Sequence, residues 1–310
     1  MTDALPIVSV VIPCYNATRT LSATLSSVLQ QTWPAIEVLA VDDRSTDGTL
    51  DLLHEHEAVF GGRLRVIGLE QNRGSAGARN AGIEAARGSY LALLDSDDVW
   101  APEKTAHQVA YLEDHSEVVL VGCRAQEVLN DGVAHEINAG RAPTIGSDAW
   151  RLMLRYPYFV PSMVMTRMEE VRAIGGFDIR RYVVDDQDFL IRLALRGPVA
   201  MIDEILVTMG YSPMSLSHRN ILREPELVLP MLHDLFALAG DRLTAADRKA
   251  ILAARLAKLG RNIYPVMPRR GLGMLLRAAA LGEAPVSNLA YVVTASPWLK
   301  PLKRMRRPSA

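Results

Sequence analysis

Three aspartates that follow an apolar run are the first residues in this chain whose type and spacing suggest chemistry. Asp95, Asp97 and Asp98 come directly after a run that ends at Leu94. Carboxylates this close together repel one another, and a hard divalent cation such as Mg²⁺ or Mn²⁺ relieves the repulsion because it prefers oxygen ligands. The cluster predicts a cation site, and the alternative is an acidic turn that begins the next helix.

A second acidic pair, Asp42 and Asp43, follows the apolar run 36–41. A carboxylate at the end of a strand can accept hydrogen bonds from a nucleobase or a ribose. The alternative is a simple turn in which Ser45 or Asp47 caps the following helix.

The segment 72–80 contains Gly74 and Gly77 and ends near Arg79. Glycines let a backbone approach a ligand, and a helix N-terminus favours anions. Arg79 could therefore reach a diphosphate. The segment has neither the dinucleotide-binding glycine spacing nor the lysine of a P-loop, so an ordinary helix start remains the alternative.

A fourth cluster, Asp185, Asp186 and Asp188, precedes an amphipathic pattern. Acidic residues are favoured in the first turn of a helix by the helix dipole, which is the structural explanation. The chemical explanation is a general base, because the group that takes a proton from a hydroxyl is commonly a carboxylate or a histidine.

These clusters need a scaffold that brings them together. In the first hundred residues, β-branched apolar runs predict strands at 8–12, 36–41, 64–69 and 90–94, and helical spacing predicts helices at 18–30, 49–60 and 75–87. Such alternation predicts an α/β fold with a mostly parallel central sheet flanked by helices. Right-handed crossovers place all strand ends at one edge of that sheet, where ligands bind.

The pattern becomes mixed after residue 101 and helical after about residue 219. Predicted helices lie at 102–115, 147–155, 169–174 and 186–196, and predicted strands at 118–121, 126–130, 162–166 and 202–210. Further helices are predicted at 224–239, 244–260 and 271–281, the second with a capping-box pattern at Thr244 and Asp247. We therefore predict a domain at 1–218 and a C-terminal helical extension at 219–310.

Bulk properties narrow the class of protein. The formal net charge of -1 gives no reason to expect nucleic acid binding, and two distant cysteines suit a reducing compartment. We expect neither a secretory signal nor a membrane-spanning helix, and hence a soluble, cytoplasmic protein.

The order of the clusters resembles family 2 glycosyltransferases of the GT-A (Rossmann-like) fold. The resemblance covers roughly residues 6–217 and includes Asp95-Ser96-Asp97, the Asp-X-Asp (DXD) motif. The other matching segments are 8–16, 31–33, 42–49, 72–82, 175–178 and 185–188.

The resemblance implies a role for each matching residue. Residues 1–100 would form the nucleotide-binding half and 101–218 the acceptor-binding half. Asp186 would be the general base, with Asp185 in the place where the family more often has glutamate. The residues implied for the donor nucleotide are Pro13, Tyr15, Asn16, Asp43, Arg79, Asp95 and Ser96; for the metal, Asp97, Asp98 and His218; and for the acceptor, Asp185 and Trp100.

The resemblance also implies an activity. The enzyme would use Mn²⁺ or Mg²⁺ and transfer a sugar, with inversion, from a nucleoside diphosphate sugar (UDP or dTDP) to an acceptor hydroxyl. The acceptor would be a glycan or a lipid-linked glycan in cell-surface polysaccharide or glycolipid synthesis. The alternatives are a nucleotidyltransferase and a non-catalytic nucleotide-sugar-binding module. For His218 the alternative to a metal ligand is a surface histidine.

The C-terminal residues 296–310 combine basic side chains with Trp298, Leu299 and Met305. This composition suits peripheral contact with an anionic membrane face, and the alternative is a disordered basic tail. The apolar helices after Arg219 could in addition form a homo-oligomer interface.

Overall fold

The computed structural model of the protein describes residues 5–129, 132–139, 145–210, 220–283 and 291. The chain divides into two compact units. The first contains Met1–Met153 and Pro157–Pro213, and the second contains Leu154–Tyr156 and Met214–Ala310.

The first unit begins with four parallel strands, which confirms the predicted alternation. They are β1 (Val8–Cys14), β2 (Ile36–Asp42), β3 (Leu64–Gly68) and β4 (Tyr90–Leu93), paired in the order β3-β2-β1-β4. The helices between them are α1 (Leu21–Leu29), α2 (Thr49–Phe60) and α3 (Gly74–Ala85). β1 is almost entirely buried, and its residues other than Ser9 are apolar, as expected for a strand that is covered on both faces.

Helix α3 packs closely on β1. A Cβ on Gly82 would lie 2.5 Å from Cγ1 of Val11, which is too close for any larger residue without a shift of the strand or the helix. This contact fixes the position of α3, and therefore of Arg79, relative to the strand ends.

The second half of the first unit completes the sheet with mixed pairing. Its strands are β5 (Asp98–Trp100), β6 (Leu120–Val128), β7 (Ala134–Glu136), β8 (Met165–Arg167) and β9 (Val199–Gly210). Its helices are α4 (Lys104–Asp114), α5 (Ala149–Arg155), α6 (Met168–Ala173) and α7 (Asp185–Ala194), and α5 ends in the second unit. The sheet continues from β4 in the order β8-β6-β9-β5, with β7 beside β6. The α/β fold class is confirmed.

Several elements differ from the sequence prediction, including the short strand β7, which was not predicted. Two predicted strands, 118–121 and 126–130, merge into β6, because β9 pairs along its whole length with a register irregularity at Cys123–Ala125. The strand predicted at 162–166 starts later, because Pro161–Met163 forms a 3₁₀ turn. The short strand β5 was not predicted; it forms by antiparallel pairing with β9.

The second unit is helical in its described part. It contains α8 (Glu224–Ala239), α9 (Ala245–Ile263) and α10 (Pro268–Ala280). The capping box at the start of α9 is confirmed, since Thr244 and Asp247 exchange side-chain to backbone hydrogen bonds. None of the helices in the described part of the chain combines the length and hydrophobicity needed to cross a bilayer.

Candidate active site

The loops after β1 and β2 are tied together at the carboxyl edge of the sheet. The side-chain Oδ1 of Asn16 accepts a hydrogen bond from the backbone N–H of Thr46 at 2.8 Å, and the N–H of Asn16 donates to Oγ of Ser45 at 3.0 Å. Beside this link the ring of Tyr15 is 54% exposed and Pro13 is half-buried. The structure thus places Pro13 near the end of β1, and Tyr15 and Asn16 on the loop that follows it.

Asp43, which directly follows β2, binds the loop that precedes α3. Its Oδ1 accepts from the N–H of Arg73 at 2.6 Å, and its carbonyl accepts from Nδ2 of Asn72 at 2.9 Å. Burial raises the pKa of this carboxyl above its ordinary value. Asp43 therefore holds the start of α3 against the end of β2.

Arg79 joins two of the acidic clusters. Its Nη2 donates to Oδ1 of Asp95 at 2.7 Å, and its Nη1 donates to Oδ2 of Asp185 at 2.8 Å. The same Oδ2 of Asp185 accepts from Oγ of Ser75 at 3.0 Å. Arg79 is only 5% exposed. Its guanidinium is bound by two carboxylates, so Arg79 connects the turn 95–98 with the start of α7.

Asp186 lies beside this ion-pair cluster and is half-buried. Its Oδ1 accepts from the N–H of Gln187 at 2.7 Å. Burial, then the charge of Asp185, raises the pKa of Asp186, while Arg79 acts in the opposite direction. A carboxyl with a raised pKa accepts a proton more readily, as a general base must.

The loop that contains Gly176 and Phe177 connects α3 and α7, which carry Arg79 and Asp186. Asn80 of α3 donates from Nδ2 to the carbonyl of Phe177 and accepts from its N–H, both at 2.8 Å. The ring of Phe177 stacks on Phe189 of α7, with a centroid separation of 3.9 Å. A Cβ on Gly176 would lie 2.7 Å from Oδ1 of Asn80, so this close approach requires glycine.

Ser162 forms hydrogen bonds with both ends of the turn 95–98. The N–H of Asp95 donates to Oγ of Ser162 at 3.0 Å, and that hydroxyl donates to Oδ2 of Asp98. The carbonyl of Ser96 accepts from Oγ1 of Thr24 at 3.0 Å. These bonds fix both ends of the turn and leave Asp97 exposed at its tip. Desolvation and the charge of Asp95 raise the pKa of Asp97 to about 6.

The side chains of two predicted site residues are turned into the fold in this structure. Asp98, predicted as a metal ligand, is 2% exposed and bonded to Ser162, and burial followed by the charge of Asp95 raises its pKa. Trp100, predicted to contact the acceptor, is 3% exposed; its Nε1 donates to the carbonyl of Ser162 at 2.9 Å, and Nζ of Lys104 lies 4.0 Å from its ring centroid. Both side chains support the turn because β5 pairs with β9. His218 lies outside the described residues.

Ser162 is the residue that the sequence interpretation missed. It lies more than sixty positions from the aspartates it contacts, so no local pattern could indicate it.

We expect Ser162→Ala to destabilise the protein and to weaken donor binding, because the buried carboxyl of Asp98 loses its hydrogen-bond donor. The loss should be about 1–3 kcal/mol in the free energy of unfolding. Urea unfolding and the KM for the donor measure the two effects. Ser26→Ala, which removes an exposed hydroxyl on α1, is the control and should change neither. Equal values for both variants would contradict the role given to Ser162.

Comparison with known proteins identifies the family. The family model described as glycosyl transferase family 2 matches residues 9–171, more than half of the chain. The chain belongs to this family.

Several curated relatives of this family 2 enzyme are bacterial glycosyltransferases. A putative teichuronic acid biosynthesis glycosyltransferase, TuaG of Bacillus subtilis, is 45% identical over 116 residues, which are 37% of this chain and 46% of the relative. An Escherichia coli UDP-Glc:alpha-D-GlcNAc-diphosphoundecaprenol beta-1,3-glucosyltransferase, WfaP, is 39% identical over 109 residues, 34% of this chain and 41% of the relative. The chain thus matches less than half the length of these two relatives.

Solved structures share the fold of this family 2 enzyme. TarS 1-349 of S. aureus has a TM-score of 0.67 at 20% identity and covers 98% of this chain and 93% of its own. The mannosyltransferase PcManGT of Pyrobaculum calidifontis, in complex with GDP-Man and Mn2+, has a TM-score of 0.63 at 22% identity. The match covers 98% of this chain and 85% of the mannosyltransferase. These similarities confirm the GT-A fold.

Proposed function

We propose that this glycosyltransferase transfers one sugar, with inversion, from a nucleoside diphosphate sugar to a hydroxyl of a glycan or a lipid-linked glycan. The observation that carries the proposal is the ion pairing of Arg79 with both Asp95 and Asp185, which brings the donor-side turn and Asp186 into one cluster. An inverting transfer needs these two sets of groups on opposite sides of the same anomeric carbon. The cluster supports the proposal because it brings the two sets of groups close together.

The roles proposed for the individual side chains are those that the family resemblance implies. Pro13 near the end of β1, and Tyr15 and Asn16 on the loop after it, would contact the base together with Asp43 at the end of the neighbouring strand. Asp186 would take the proton of the acceptor hydroxyl as that oxygen attacks the anomeric carbon. Asp185 would act by holding Arg79 and by raising the pKa of its neighbour, in addition to any acceptor contact.

A divalent cation suits the exposed tip of the turn 95–98. The described residues contain no group of three or more His, Cys, Asp or Glu side chains that could hold a metal ion by themselves. Mg²⁺ and Mn²⁺ are often held by one or two carboxylates together with substrate phosphates. Asp97 fits this pattern because its carboxylate is exposed at the tip of the turn. A cation held there would supply positive charge to the diphosphate of the donor.

The donor and acceptor classes are supported by the relatives. The name of WfaP specifies UDP-Glc and a diphosphoundecaprenol-linked acceptor, and S. aureus TarS has been crystallised with UDP-GlcNAc. We propose a UDP- or dTDP-sugar donor and a role in cell-surface polysaccharide or glycolipid synthesis. A thermal-shift panel of UDP-, GDP- and dTDP-sugars with Mn²⁺ tests the donor.

We also propose a domain division and a cellular location for the protein. We assign the transferase activity to residues 1–218 and a separate helical extension to 219–310. We also propose a cytoplasmic enzyme that contacts the inner membrane face through residues 296–310, which lie outside the described residues.

We expect Asp97→Ala to lose the part of nucleotide-sugar binding that depends on Mn²⁺. The wild-type protein should melt at a higher temperature with UDP-sugar plus Mn²⁺ than with UDP-sugar alone, and this increment should vanish in the variant. Its melting temperature without ligand should stay unchanged, because Asp97 is exposed. Asp51→Ala, at another exposed aspartate, is the control. A full Mn²⁺ increment in Asp97→Ala would remove Asp97 from the metal site.

A further inference from the structure

The charge of the chain changes sign along the sequence. From Arg248 to the C-terminus there are thirteen Lys and Arg residues and one acidic residue, Glu283. The preceding 247 residues contain 21 Lys and Arg against 34 Asp and Glu. The near-zero net charge of the whole protein therefore hides a strongly basic segment, which begins in α9 and includes α10.

Helix α10 presents part of this charge on a single exposed face. Arg269, Gly273, Leu276, Arg277 and Ala280 follow helical spacing and are all exposed. The opposite side of α10 is buried in the second unit through Gly271, Leu275 and Ala278. The outward face thus carries two arginines and an apolar side chain, Leu276, that is 60% exposed.

The turn before α10 adds apolar surface next to this face. Val266 is 59% exposed and Met267 is 42% exposed, and Arg269 follows two positions later. We call Val266, Met267, Arg269, Leu276 and Arg277 the basic apolar face. Exposed aliphatic side chains interspersed with arginines, with no acidic residue between them, are typical of surfaces that rest on a bilayer.

We propose that the basic apolar face binds the surface of an anionic phospholipid membrane. Anionic headgroups attract the arginines, and the region just below them accepts the apolar side chains, so one partner satisfies both parts of the face. The proposal extends beyond sugar transfer and does not depend on it.

Charge argues against other occupants of this face. Residues 296–310 of the chain contain five Lys and Arg and no acid, so they would be repelled. A second copy would bring the same arginines to the contact. Nucleic acid would attract the arginines but would leave Val266, Met267 and Leu276 without a matching surface.

The test is vesicle co-sedimentation of the full chain with phosphatidylglycerol–phosphatidylcholine vesicles and with phosphatidylcholine vesicles. We expect wild-type protein to bind only the anionic vesicles, and Arg269→Glu/Arg277→Glu to bind them at least about tenfold more weakly, since each basic residue near such a surface contributes to binding. Arg87→Glu/Arg172→Glu, at two exposed arginines of the first unit, makes the same change in net charge and should bind as wild type does. Leu276→Ser should also bind more weakly. Unchanged melting temperatures show that each variant is folded.

Several results would overturn the proposal. One is wild-type protein that binds neither vesicle, or both equally. Another is an equal loss in the two double variants, which would indicate net charge alone. A third is loss of binding on removal of residues 296–310 with full binding by Arg269→Glu/Arg277→Glu, which would place the contact in the tail. Binding of duplex DNA, or dimerisation on size-exclusion chromatography, that depends on Arg269 and Arg277 without vesicle binding would assign the face to those partners.

Discussion

Asp186→Asn should abolish sugar transfer while nucleotide-sugar binding survives. Asparagine keeps the size of the side chain and can still accept from the N–H of Gln187, but it cannot take a proton from the acceptor hydroxyl. Loss of a general base lowers the rate by about 10²–10⁴-fold. Turnover with a sugar acceptor and thermal shift with UDP-sugar and Mn²⁺ measure the two properties separately.

The control for this variant is Asp114→Asn, at an exposed aspartate near the end of α4. It should leave both turnover and the thermal shift unchanged. Turnover that persists in Asp186→Asn would remove Asp186 from the base role. Loss of the donor-induced thermal shift would show instead that the substitution disturbs the donor site.

The pH dependence of the wild-type enzyme independently tests whether Asp186 is the general base. Its pKa is raised above the ordinary aspartate value of about 3.9. A base works only when deprotonated, so kcat/KM should fall as the pH decreases through this raised pKa. The acidic limb of the profile should therefore lie at a higher pH than an ordinary aspartate would give. A limb near pH 4 would contradict a raised pKa of the general base.

The parts of the fold that could be predicted are those specified by local pattern. Val8–Cys14 is a buried strand because its residues are apolar in succession, and α9 begins where Thr244 and Asp247 form a capping box. The positions of the acidic clusters at strand and helix ends followed from the same patterns. Right-handed crossovers predicted that the ends of these strands share one edge of the sheet, but they did not predict the order β3-β2-β1-β4.

The details of the site could not be predicted because they depend on contacts between distant residues. Trp100 appeared available for an acceptor until antiparallel pairing of β5 with β9 placed its ring inside the protein. Asp98 has the residue type of a metal ligand, but the hydroxyl of Ser162 directs it inward. Arg79 has the type of a phosphate ligand, but two carboxylates bind its guanidinium. Residue type therefore did not indicate the partner of each side chain.

Replacing Arg79 is expected to have the largest combined effect on stability and transfer. The guanidinium forks between Asp95 and Asp185, and with only 5% exposure it is almost fully desolvated. Arg79→Met leaves both carboxylates without their shared cation. Removal of one partner from a buried ion pair costs about 3–5 kcal/mol. Urea unfolding of Arg79→Met should show a loss of this size.

Arg79→Lys separates the geometry of this contact from its charge. Lysine keeps the positive charge but has no planar fork, so it cannot bond both carboxylates as arginine does. We expect a smaller loss of stability than in Arg79→Met, together with a clear loss of kcat. Asp185 and Asp95 would no longer be held in fixed positions relative to Asp186.

The matched control for Arg79 is Arg124, whose guanidinium is also shared by two carboxylates, those of Glu136 and Asp203. Arg124→Met should lower the free energy of unfolding but leave kcat and donor affinity of the folded enzyme near wild type. A double-mutant cycle of Arg79→Met with Asp185→Asn should show strongly non-additive effects on stability, because each single change removes the same ion pair. Additive effects, or normal kcat in Arg79→Lys, would mean that Arg79 does not position the carboxylates. In that case the connection between the donor-side turn and Asp186 would have to come from the backbone of α3 and α7, which Asn80 and the Phe177–Phe189 contact already hold together.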